Sequence, residues 1–296
     1  MEQVKHSKKS RFFESWVWYI FVLPTLLGIV LFMAYPILES LRLSFYQSNG
    51  TTETWVGLNN YKLILTSEPF RKAVYNTFFI GFWWLAVTIP LGFVIASLIN
   101  GLSFAKNTFK SIFFIPYMTS LVAAAAIFLF VLHPDMGPLN TLLDMFGLPT
   151  MMWLAEPLTA RIGAVILASW QWLGFVVVIC IANLQAIPRD LYEAAGIDGA
   201  NWFQKWKYIT IPKMKGTFSF LLIMGWIKAL QRFAETYVLG GPQGSPARSL
   251  YTVVGFIYER GFGGNEYGLA SAAAYVLFII ILVFTFINMK VSKFDV

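Results

Sequence analysis

"LYEAAGIDGANWFQKWKYITIP" occupies residues 191–212, and its chemistry differs from that of the chain on either side. It sets Glu193, Asp198, Lys205 and Lys207 among alanines, glycines and aromatic rings. The flanking runs, 161–184 and 217–239, are mostly apolar. A helix needs about 20 apolar residues to cross the hydrocarbon of a bilayer. Both flanks have that length, so the quoted stretch reads as a loop between two membrane spans. The rest of the fold follows by counting outward from it.

Six segments qualify as spans: 16–38, 74–99, 109–131, 161–184, 217–239 and 267–289. Composition agrees. The 296 residues are 57% hydrophobic and only 12% charged, where a soluble domain carries about 25% charged residues. The chain therefore reads as an all-α membrane protein, one transmembrane domain over 1–296 with the lipid bilayer as its solvent. Its first span follows a basic N-terminus but is longer than a signal-peptide core. No A-x-A cleavage site follows it, so it reads as a retained helix.

Lysine and arginine set the orientation. Segments 1–15, 100–110, 185–216 and 290–296 hold 13 of the 22, and the opposite side holds seven. The richer side is the cytoplasmic one, which puts both termini and the loop at 185–216 in the cytoplasm. The net charge of +7 flanks apolar runs, so it reports topology and gives no reason to expect nucleic acid. Cys180 sits alone in an apolar run, and His6 and His133 are far apart. No metal set is expected.

Within the loop, Asp190 followed by Glu193 three residues later has the form of a capping box, so a short helix begins at Leu191. Gly196 and Gly199 supply freedom for a corner. A second helix is expected from about Ala200 to Ile209, with Trp202, Trp206 and Ile209 on one face. Pro212 ends it. Such a helix pair suits the membrane surface or a partner's groove.

The pattern Glu193-Ala194-Ala195-Gly196, Asp198-Gly199-Ala200, then Ile209 to Pro212 resembles the EAA loop of the membrane subunits of binding-protein-dependent ABC importers. Trp206 stands where that family usually has Phe, and Ile211 where it has Leu. Further stretches are similar to the carbohydrate-uptake branch, the maltose-type and glycerol-3-phosphate-type first permeases. They are "FVLPTLLGIVLFMAYPILESLRLSF", "WVGLNNYKLIL", "FIPYMTSLVAAAAIFLFVLHPDMGPLN" and "FAETYVLGGP". The resemblance implies a type I ABC importer permease fold in a bacterial or archaeal cell (inner) membrane. It implies a second homologous permease chain, two copies of a cytoplasmic ATPase, and an extracellular or periplasmic solute-binding protein. The loop would be a coupling helix, with Glu193 contacting a basic residue of the ATPase and Gly196 permitting the corner. ATP and Mg would bind the ATPase, and this chain would hold no cofactor and catalyse nothing. Consistently, the sequence has no G-x-x-x-x-G-K-[ST] phosphate loop.

Polar residues inside spans are costly and often functional. Lys228, Gln231, Arg232 and Glu235 fall on one face of the fifth span, and Arg232 and Glu235 are spaced to pair. In the fourth span Ser169, Trp170, Gln171 and Trp172 offer hydrogen bonds and flat rings suited to a sugar, although Trp is also an interfacial anchor. Asn76 and Thr77 read as helix-pairing residues. Pro24, Pro90 and Pro116 mark bends. The positive excess on the fifth span points to an acidic or phosphorylated sugar. Two rival readings stay open: an ion-coupled secondary transporter, which the ionic stripe would serve, and an intramembrane enzyme. The spans offer no clustered His, Cys or paired carboxylates for the latter.

Overall fold

The computed structural model describes residues 8–102 and 104–292, and side chains from 18 onward to 290; His6 lies outside them. Helix α1 (Lys8–Ile29) passes through a wide turn at Val30–Ala34 into α2 (Tyr35–Leu43). A small antiparallel hairpin follows, β1 (Tyr46–Ser48) and β2 (Glu53–Trp55), with Tyr46 opposite Trp55. It is the one departure among the described residues from an all-helical chain. Then come α3 (Asn59–Thr66), α4 (Glu68–Gly101), α5 (Lys106–Met118), α6 (Leu121–Val131), α7 (Pro138–Met145) and α8 (Pro157–Gln185). The polar loop holds α9 (Arg189–Ile197), α10 (Trp202–Lys205) and α11 (Ile211–Lys213). The chain closes with α12 (Lys215–Leu230), α13 (Ala234–Gly240), α14 (Val253–Tyr258) and α15 (Tyr267–Ser292).

Four continuous helices are long and apolar enough to cross a membrane: Trp18–Leu43, Glu68–Gly101, Pro157–Gln185 and Tyr267–Lys290. The chain is thus a multi-pass membrane protein, but two of the six expected spans are not single rods. The run at 109–131 is split into α5 and α6, which meet at 95°. Pro116 lies in the last turn of α5, and Thr119 and Ser120 are extended. The run at 217–239 is split at Gln231–Phe233, where Phe233 adopts φ −149°, ψ −59°. The first break falls on Thr119 and Ser120 inside an otherwise apolar run, and the second on Gln231 and Arg232, the polar positions of the fifth apolar segment.

Helices α4 and α8 form the centre. Ile80, Trp84, Leu85, Ile89, Phe93 and Ala96 of α4 are buried against Ala164, Leu167, Ala168, Trp172 and Val176 of α8. In lipid, packing comes from close approach rather than from water exclusion, and small residues permit it. A methyl group added at Gly92 would lie 2.5 Å from Val176, and one at Gly174 would lie 2.0 Å from the carbonyl oxygen of Phe113 on α5. The α1–α2 limb is different: no residue of its most apolar window is buried. It touches the bundle where the Tyr275 hydroxyl donates to the carbonyl of Ile37.

Gly174→Val is expected to force α5 from α8 and to destabilise the protein by about 1–3 kcal/mol or more. Gly28→Val, with nothing within 4 Å of the added carbon, is expected to leave the thermal midpoint in detergent unchanged.

Candidate functional site: a polar loop and a cavity at a broken helix

The loop departs from its sequence reading in three places. Helix α9 starts at Arg189, with Pro188 at its N-cap and Asp190 inside the first turn, so no capping box forms with Glu193. The box is instead built one helix later. Asn201 Oδ1 accepts from Gln204 N at 2.9 Å, and Asn201 N donates to Gln204 Oε1 at 2.8 Å. The corner belongs to Gly199, whose φ is +77°, and not to Gly196, which lies within α9. Gly199 N donates to Gly196 O and Ala200 N to Ala195 O, at 3.1 and 2.9 Å. This is the Schellman closure that a left-handed glycine allows. Pro212 does not end the second helix. A wide turn at Trp206–Thr210 leads into α11, with Pro212 in its first turn, where no N–H is required.

Aromatic stacking fixes the loop to α4. Trp206 lies 5.4 Å from Phe93 at an interplanar angle of 21°, and its Nε1 donates to Ser97 Oγ at 3.2 Å. Ile209 packs on the same core, while exposed Trp202 stacks on Trp206 at 6.1 Å. The Tyr192 and Thr210 hydroxyls are hydrogen-bonded at 3.0 Å. On the far face of α9, Glu193, Ala194, Gly196 and Asp198 are exposed, and Ile197 is 89% exposed. Glu193 makes no hydrogen bond or ion pair among the described residues. A large aliphatic side chain at the tip of a polar loop, beside an unpaired carboxylate, is a surface shaped for contact.

At the broken helix, Gln171, Trp172, Lys228, Gln231, Arg232 and Glu235 line one cavity of about 450 Å³. Six of the eight sequence candidates therefore meet; Ser169, which accepts from Thr88 Oγ1 at 2.9 Å, and Trp170 do not. Trp170 faces away, 40% exposed, with its ring 5.4 Å from Phe128. The expected single helical face is replaced by a corner: Lys228 lies in the last turn of α12, Gln231 and Arg232 sit in the break, and Glu235 lies in the first turn of α13. Arg232 forms its ion pair with Glu235, both groups nearly fully buried, and its guanidinium lies 4.4 Å above the Trp84 ring. Its carbonyl, freed by the break, accepts from Thr252 Oγ1 at 2.8 Å. Lys228 is exposed in the cavity and has no partner among the described residues.

Trp84 is the residue that the sequence does not disclose. Trp83 and Trp84 are adjacent in an apolar span, and only the fold separates them. Trp83 is exposed and Trp84 is buried, its ring 4.7 Å from Trp172. Trp84 Nε1, Trp172 Nε1 and Arg232 Nε are all buried without an acceptor. Three orphaned donors around one cavity are unusual, because buried polar groups are nearly always paired. A second cleft of about 470 Å³ lies beside the hairpin, lined by Gln47, Asn59 and Glu266 among others. None of the orphaned donors faces it.

The segment from Gly241 to Thr252 folds back beside the break. Asn76 Nδ2 donates to the carbonyls of Arg248 and Tyr251 at 2.7 and 2.9 Å, and its Oδ1 accepts from Arg161 Nε at 3.0 Å. Thr77 Oγ1 accepts from Val253 N at 3.0 Å. These two residues thus hold the folded-back loop and also pair α4 with α8 through Arg161 and with the start of α14 through Val253. Within that loop, burial and then a hydrogen bond to Glu259 push the Tyr251 phenol above its ordinary range. Among the described residues no group of His, Cys, Asp and Glu is placed to hold a metal.

Glu235→Gln strands the buried Arg232 charge and is expected to cost about 3–5 kcal/mol, whereas Arg232→Met with Glu235→Leu returns close to wild-type stability. A double-mutant cycle on thermal denaturation of the solubilised protein measures both.

Residues 88–292 match a family described as "Binding-protein-dependent transport system inner membrane component". The chain is 36% identical over 276 residues to the arabinooligosaccharides transport system permease protein AraP of Bacillus subtilis (strain 168), covering 93% of this chain and 88% of that one. It is 30% identical to the trehalose/maltose transport system permease protein MalF of Thermococcus litoralis, covering 97% of each. In fold it is similar to a chain of a bacterial alginate ABC transporter solved in complex with an alginate pentasaccharide-bound periplasmic protein. That match has a TM-score of 0.83 at 24% identity, covering 96% of each chain.

Proposed function

The chain belongs to the family of binding-protein-dependent transport system inner membrane components, and from that premise we propose that it is the permease subunit of an ATP-driven importer of a sugar or oligosaccharide. The observation that carries this reading is the cavity at the broken helix, lined by Trp84, Trp172, Gln171, Lys228 and Gln231, with both indole N–H groups left without an acceptor. Indole is a donor only, and a sugar supplies oxygen acceptors together with an apolar ring face for the tryptophans. The relatives named for arabinooligosaccharides and for trehalose and maltose support the same class of solute.

In this reading the chain crosses the inner membrane of a bacterium or archaeon six times, the bent and the broken pair each counting as one pass. Both termini and the loop at 185–216 lie in the cytoplasm. A second, homologous permease completes the pathway. Two ATPase copies bind ATP and Mg, and a solute-binding protein delivers the sugar from outside. Glu193, Ala194, Ala195, Gly196, Asp198 and Gly199 form the docking element, with Ile197 as its apolar tip. This chain itself catalyses nothing and holds no cofactor. Because Glu235 already takes the charge of Arg232, Lys228 is the cation in the cavity left to meet a carboxylate or phosphate. An acidic sugar is read through Lys228 alone.

The test is reconstitution with the partner chains. Glu193→Lys and Ile197→Asp, both at exposed positions, are expected to leave the permease in the membrane at wild-type abundance but to abolish co-purification of the ATPase. Gly199→Val places a branched residue in the left-handed region, at a cost of about 1–2 kcal/mol, and is expected to impair ATP-driven uptake more than Gly196→Ala. Sugar uptake that persists without ATP would refute the reading in favour of an ion-coupled carrier.

A further inference from the structure

The geometry points to an aromatic track that hands a saccharide from the hairpin end of the protein to the cavity, with Phe262 at its mouth, Tyr258 and Tyr237 along it, and Phe233 at its foot. This inference rests on the sugar-permease reading above and adds a binding path to it. Phe233 lines the cavity. Its ring lies 5.0 Å from Tyr258 and 5.1 Å from Tyr237. Tyr258 in turn lies 5.2 Å from Phe262. Val254 also lines the cavity; Tyr258 is one helical turn beyond it, and Phe262 lies in the wide turn that follows.

The path has a direction. Thr252, at the N-cap of α14, is anchored to the carbonyl of Arg232. From there α14 leads away from the cavity to the wide turn Glu259–Gly263, which packs on α15 near its start, where Gly268 closes against Tyr46 of the hairpin. Exposure rises along the way, from the half-buried Phe233 through Tyr258 at 40% to Phe262 at 73%.

Packing alone does not call for this arrangement. The buried side of α14 is supplied by Val253 and Phe256, so Tyr258 and Phe262 stand on the side that the core leaves open. The hydroxyls of Tyr237 and Tyr258 have no hydrogen-bond partner among the described residues. In sequence Phe262 lies between Arg260 and Glu266, which pair at 3.1 Å, so polar groups stand beside the mouth. A sugar ring has C–H faces that suit the negative face of an aromatic ring, and its hydroxyl rim suits the two free phenols. Each step between rings is comparable to the advance of one residue in a sugar chain, so an oligosaccharide can move by exchanging one stacking partner for the next.

The experiment uses the assembled transporter in proteoliposomes, with maltotriose, lactose and an arabino-oligosaccharide as probes. Sugar uptake and ATP hydrolysis are measured together at saturating loaded binding protein. Phe262→Ala and Tyr258→Ala are expected to lower sugar delivered per ATP hydrolysed several-fold, while binding-protein-stimulated hydrolysis stays at the wild-type rate. Tyr258→Phe, which keeps the ring, is expected to retain most of the uptake. Should Tyr258→Ala fail to assemble, Phe262→Ala decides, because its side chain is largely outside the core. Uptake per ATP equal to wild type overturns the track. Loss of stimulation by the binding protein also overturns it, since the rings would then be a protein-docking face. If the wild-type complex takes up none of the three sugars, the functional reading itself fails and the track falls with it.

Discussion

A backbone carbonyl released inside an apolar bundle must find a donor within the protein, because lipid has none to offer. The architecture of this protein around its cavity follows from that requirement. The break after Leu230 frees the carbonyl of Arg232, and Thr252 supplies the hydroxyl that satisfies it. Thr252 can be there because Asn76 binds the carbonyls of Arg248 and Tyr251, and Thr77 accepts from Val253. The folded-back segment is therefore the condition that lets a span break without cost, and the break is what brings Lys228, Gln231, Arg232 and Glu235 around one space. A similar device holds the turn after α6, where Asn140 donates to the carbonyls of Pro134 and Met151 and accepts from Met151 N and Trp153 Nε1.

The sequence made the bundle, the polar loop and most of the cavity readable, because each depends on composition or on local spacing. The apolar runs are long, the loop has its own charge pattern, and Arg232 and Glu235 stand three apart. What it hid depends on residues distant in the chain. Between 217 and 239 the sequence marks Gln231 and Arg232 as polar but not as a break, since the partner that stabilises it, Thr252, lies 20 residues on from Arg232. Trp84 cannot be told from Trp83 without the neighbouring helix. In the loop, Asp190 and Asn201 both satisfy the capping pattern. Only the chain direction imposed by Pro188 and the left-handed Gly199 selects Asn201. Trp170 misled for the opposite reason: residues two apart on a helix point about 200° apart, so Trp170 and Trp172 never shared a face.

The ion pair changes the electrical picture of the cavity. Read along the chain, two cations and one anion suggest a basic stripe. In the fold Arg232 is neutralised by Glu235 and covered by Trp84, so the cavity keeps one ammonium without an ion-pair partner among the described residues, that of Lys228, beside two glutamines and three aromatic rings. A buried pair of this kind is weak evidence for stability. Its position across the break favours a different role, holding the start of α13 in one orientation against α12.

Helix α4 joins the two regions. Near one end, Asn76 and Thr77 grip the folded-back segment; near the other, Phe93 and Ser97 grip the indole of Trp206. The two grips are about 30 Å apart along the helix axis, which is also the thickness of the bilayer's hydrocarbon. The helix runs unbroken between the two grips although Pro90 lies between them, and its Asn76 end binds the carbonyls beside Thr252. The polar loop and the segment beside the cavity are thus both attached to one continuous helix.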